Sequence, residues 1–119
     1  MIVTPINKIP KSKSNINYRE QIQREKCGLQ VLWNDTKLNK ARIGDFFGFI
    51  HNDRIITFRI VESIHISVSL NNVLCLGPIV NTMLWEDWIF YGGSKKVKKT
   101  INVKTNVEHL IRYLNQWNE

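Results

Sequence analysis

The chain is poor in cysteine and has no long apolar run, and each shortage removes a class of protein. Its two thiols, Cys27 and Cys75, have no histidine at metal-ligand spacing, so neither a zinc site nor a disulfide scaffold is indicated. No apolar stretch approaches the ~18 residues of a bilayer-crossing helix. The opening Met1-Ile2-Val3-Thr4-Pro5 is interrupted too soon for a secretory leader, and an intracellular protein, cytoplasmic or nuclear, is expected. Catalytic patterns are also missing. His51, His65 and His109 are scattered, and the adjacent Glu86 and Asp87 would point to opposite faces of a strand, a poor acid–base pair. Gly92-Gly93-Ser94 and the lysines behind it lack the Gly-Lys-Ser/Thr spacing and following helix of a phosphate loop. No catalytic residue, metal ligand or cofactor is expected.

What the chain does have is positive charge. It carries a net +7 over 119 residues, with an isoelectric point near 9.7 and 43% hydrophobic residues. That length supplies one core, so a single domain over 1–119 is expected. The surplus of lysine and arginine favours a polyanionic partner.

Periodicity predicts mainly short strands. Ile2 to Ile6 reads as a strand with Pro5 near its end or at an edge, and Asn15 to Lys26 as a helix with Tyr18 and Ile22 on its buried stripe, ended by Gly28. Leu29 to Trp33 is extended, and Asn34 to Arg42 is a loop. Asp45–His51 and Ile55–Val61 form an antiparallel hairpin around Asn52-Asp53-Arg54, because Asn and Asp tolerate the backbone angles of tight turns. Further strands are predicted at Ile64–Leu70, Val73–Leu76 and Trp85–Tyr91, then a basic strand-like run from Lys95 to Val103. A last helix starts at the capping box Thr105-Asn106-Val107-Glu108 and continues to Trp117. The class is α+β, mainly β: a small twisted barrel with flanking helices.

The residues left for function are basic and aromatic. Lys37, Lys40 and Arg42 follow Trp33, while Lys95, Lys96, Lys98 and Lys99 follow the Gly-Gly turn, and Lys8, Lys11 and Lys13 lie near the start. Lysines would neutralise phosphates, and an aromatic face would stack on a base. Trp33 is the candidate stacking wall because it ends a strand beside polar residues, whereas Trp88 and Trp117 read as core.

The order Ile2-Val3-Thr4-Pro5, Gly28, Trp33-Asn34, Ile43-Gly44-Asp45, Phe47-Gly48-Phe49-Ile50 and Phe58-Arg59-Ile60-Val61 resembles the PUA-like superfamily, nearest to EVE and YTH domains. Trp85-Glu86-Asp87-Trp88-Ile89 resembles the strand that YTH domains carry after their recognition loop. The resemblance implies a small PUA-like β-barrel that reads a modified, for example methylated, base in RNA or DNA. Trp33 would then be a cage wall, and Asn34 would hydrogen-bond the base edge. A second cage tryptophan has no counterpart here, and Leu74, Leu76 or Met83 would take its place, with Trp85 close by. Phosphates would meet Lys37, Lys40, Arg42, Lys95, Lys96, Lys98 and Lys99. Two rivals use the same barrel: a viral or regulatory protein-interaction module, and a small ASCH-type hydrolase drawing on Thr36, Lys37 and Glu62.

Overall fold

The computed structural model describes residues 1–9, 16–35, 38–66 and 72–103. Among these residues, seven strands and two helices run in the order β1 (Ile2–Pro5), α1 (Tyr18–Lys26), β2 (Val31–Asn34), β3 (Phe46–His51), β4 (Ile55–Ile66), β5 (Asn72–Leu76), β6 (Asn81–Leu84), α2 (Trp85–Phe90) and β7 (Ile101–Asn102), with a 3-10 turn at Leu38–Lys40. They form one mixed sheet in the order β2-β5-β4-β3-β1-β7, and β6 adds to β4. The fold is thus α+β and mainly β. The expected barrel is not formed, since the path ends at β2 and β7, which do not pair.

The β3–β4 hairpin follows the sequence pattern. Phe46 to His51 pairs antiparallel with Ile60 to Ile55, and the Arg54 N–H donates to His51 O at 3.0 Å. Asn52 and Asp53 between them have φ of 52° and 54°, the mirror-image turn geometry that suits the right-handed twist of the flanking strands. β4 continues past its expected end. Its register shifts between Val61 and Ser63, where it leaves β3 and pairs with β5, so the strands expected at 55–61 and 64–70 are one strand as far as Ile66.

Side-chain alternation along β1, β3 and β4 builds two cores, one on each face of the sheet. Ile2, Phe47, Phe49 and Val61 join Tyr18, Val31, Trp33, Leu38, Leu74 and Leu76 on one side. Val3, Phe46, Ile50, Ile56 and Phe58 join Trp88, Val97 and Val103 on the other. Helix α1 covers the first side. Asn17 caps it by accepting from Glu20 N, and Gly28 leaves it at φ 71°. Gln21 Oε1 on this helix accepts from Leu32 N at 2.7 Å, so α1 also protects the edge strand β2.

Two further expectations are corrected. Trp85 to Phe90 is helical, and it buries Trp88 against the second core while Trp85 stacks on Trp88 with rings 6.3 Å apart. The run from Lys95 is irregular until the two residues of β7, which pair with Val3 and Ile2. The helix expected from Thr105 to Trp117 lies outside the described residues.

Candidate functional site

Trp33 is completely buried, with Tyr18 and Phe49 edge-on at ring centroids of 5.0 Å each. It presents no ring face to a ligand, contrary to the expected stacking wall. The reason is register: Trp33 and Val31 point inward on β2, and Leu32 between them takes the outer face. Asn34 is also fully buried, its amide donating to Asn72 O at 2.8 Å. Leu74, paired with Trp33 in register, is buried in the same core. Met83 and Trp85 pack instead against the second core, on the other face of the sheet. The five residues expected to hold a base therefore do not line one pocket.

The basic residues are divided in the same way. Lys40 and Arg42 are exposed beside Leu38 and Ala41, which belong to the first core, and Lys37 lies outside the described residues. Lys95, Lys96, Lys98 and Lys99 are all exposed around Val97, which is buried in the second core. Their presentation has a local cause. Val97 is buried in the second core, and buried Thr100 donates its hydroxyl to Thr4 Oγ1 at 2.9 Å, so two anchors three residues apart leave the lysine pairs outside. The segment is fixed upstream as well: Gly93 N donates to Trp88 O at 2.7 Å, and Trp88 Nε1 donates to Ser94 O at 3.0 Å.

Lys8 and Lys98 both line a pocket of about 240 Å³. Its apolar floor is Pro5, Ile50 and Val97, and its rim is Asn7, Lys8, Asn52, Asp53 and Lys98. The β1 end turns so that Lys8 N donates to Pro5 O at 3.2 Å, and Asn7 Nδ2 donates to Asn52 Oδ1 at 2.8 Å, tying this turn to the hairpin tip. Two lysines and one aspartate, Lys8, Lys98 and Asp53, are among its lining residues. No ion pair among the described residues involves Lys8, Lys95, Lys96, Lys98 or Lys99. The volume falls below the roughly 300–1,000 Å³ of pockets that enclose a drug-sized ligand and suits one small anionic or polar group.

A polar cluster that the sequence reading missed lies under the first face. Glu25 and Arg59 are buried and paired, with Arg59 Nη2 to Glu25 Oε2 at 3.0 Å. Arg59 Nη1 also donates to Leu29 O and Gly77 O, each at 2.7 Å. Thr57 donates its hydroxyl to Glu25 Oε1, and His51 Nε2 lies 3.5 Å from the same oxygen. Burial pushes the Glu25 carboxyl up, but hydrogen bonds from His51 and Thr57 and the Arg59 charge outweigh it and hold the group below its ordinary 4.5. With Glu25, Thr57 and Arg59 buried and only His51 partly exposed, the cluster ties α1 to the sheet. A signal existed in the sequence: Glu25 stands seven residues after Tyr18 on the inward stripe of α1. Glu62, a candidate of the hydrolase reading, accepts instead from Gln30 Nε2 at 3.1 Å.

No protein family, curated protein or solved structure matches this chain, and nothing in those comparisons ties it to the PUA-like group.

Proposed function

We propose that this protein binds nucleic acid without catalysis, with Lys8, Lys95, Lys96, Lys98 and Lys99 holding backbone phosphates. The observation that carries the reading is the pinning of the 95–99 segment by Val97 and Thr100, which sets four lysines outward and brings Lys98 to Lys8 at the pocket rim. A set of cations without ion-pair partners in the described structure keeps its attraction for an external polyanion, and the chain's net +7 adds a long-range field of the same sign. Contacts of this kind position a strand and give little sequence preference. Preference for a modified base is not part of the proposal, because Trp33 has no open face.

The test is a titration of labelled oligonucleotides at several salt concentrations. Phosphate contact predicts that log K falls with log salt by about 0.7 per contact on a single strand and about 0.9 on a duplex. Reversal of Lys95, Lys96, Lys98 and Lys99 to glutamate should weaken binding to every sequence alike and flatten that slope. Absence of binding, or binding indifferent to salt, would replace this reading with the protein-interaction one.

A further inference from the structure

Helix α2 has an aromatic residue that the core does not use. Trp88 and Trp85 fill its inner side, whereas Phe90 is 81% exposed. Tyr91, 41% exposed, meets the Phe90 ring edge-on, with centroids 5.1 Å apart and planes at 88°. The pair is firmly placed, since Tyr91 N donates to Asp87 O, Gly92 N to Ile89 O and Gly93 N to Trp88 O at 2.9, 3.1 and 2.7 Å. The same turns send the chain directly into Lys95 and Lys96.

We infer that Phe90, buttressed by Tyr91, is a base-stacking platform that makes an unpaired strand the preferred form of the nucleic acid; the inference rests on the phosphate-binding role proposed above for the neighbouring lysines. An exposed ring followed five residues later in the chain by a pair of exposed lysines offers the two halves of a single-stranded nucleotide, a planar base and a phosphate, their counterparts, and a duplex hides the first. Charge also sets the direction of the strand. Exposed Glu86 and Asp87 stand four and three residues before Phe90 and repel phosphate, whereas the cations Lys95 and Lys96 follow it, so the proposed backbone runs on the side of the chain after the ring. A protein partner would use the same exposed ring, and the test separates the two.

The experiment measures affinity of the full chain for a short oligothymidylate and for a duplex of equal length, at fixed salt, with Phe90→Ala, Phe90→Trp and the double reversal Lys95→Glu/Lys96→Glu. Because Phe90 is outside both cores, thermal unfolding of Phe90→Ala should match the parent. The expected result is a loss of roughly 5- to 150-fold in single-strand affinity for Phe90→Ala, the range that base stacking contributes, with duplex affinity and salt slope kept. Phe90→Trp should restore single-strand binding, and the lysine reversal should weaken both forms. Equal loss on both forms, or no loss on either, overturns the platform while leaving the phosphate role standing. A parent protein that binds neither oligonucleotide ends both.

Discussion

Glu25 and Trp33 show how much of this molecule depends on single buried side chains. Glu25 neutralises Arg59 inside the first core, and breaking a buried pair from one side strands the other charge at a cost of about 3–5 kcal/mol. Glu25→Gln should lose stability of that order at neutral pH, measured by urea unfolding. Since the folded carboxyl titrates below 4.5, its stabilisation is fully present above that pH and disappears as pH falls through the lower folded value. The parent should therefore weaken in acid below pH 4.5 more steeply than Glu25→Gln does. Trp33→Ala removes a ring packed between Tyr18 and Phe49 and should cost about 3–5 kcal/mol, without any specific change in oligonucleotide preference among the molecules that remain folded. Trp33 Nε1 and Asn34 Oδ1 find no hydrogen-bond partner among the described residues. These are two of the five side chains that the sequence suggested would face a ligand, and their polar atoms are turned inward.

At the scale of elements, legibility followed length and turn chemistry. The β3–β4 hairpin could be read because two apolar runs flank residues that accept positive φ, and α1 because Tyr18 and Ile22 stand four apart ahead of a glycine, although the helix starts at Tyr18 behind the cap Asn17 and not at Asn15. Helix α2 could not be read as a helix. Its six residues are too few to display a 3.6-residue period, and Trp, Ile and Phe favour strands. What makes it a helix is tertiary: Trp88 reaches the second core only if the chain coils, and Gly93 then closes over the indole. A Cβ at Gly93 would stand 2.1 Å from Trp88 Cε2. Gly93→Ala should thus cost about 1–3 kcal/mol through overpacking and disturb the indole. Near-ultraviolet circular dichroism and unfolding would register both effects, and the lysine segment that follows should lose part of its affinity for oligonucleotides with them.

Over the whole molecule, the sheet separates what the sequence joined. Strand alternation gave the mainly β class, but closure into a barrel depends on whether the first and last strands of the path meet, and local pattern carries no information on that. The lysines were equally legible as a group, while their division between two faces was not, because it depends on which core each anchoring residue enters: Leu38 and Ala41 the first, Val97 the second. This division makes the basic groups unequal. If the 95–99 segment holds the phosphates, Lys40→Glu/Arg42→Glu reverses charge beside residues of the first core, whereas that segment is anchored in the second by Val97. That variant should weaken oligonucleotide binding only through the reduced overall field, an effect that fades at physiological salt where the screening length is about 8 Å. Lys95→Glu/Lys96→Glu carries the same change in net charge and should weaken binding at both low and physiological salt, with a shallower salt slope. Equal losses from the two variants at physiological salt would mean that net charge alone drives binding and that no face is selected.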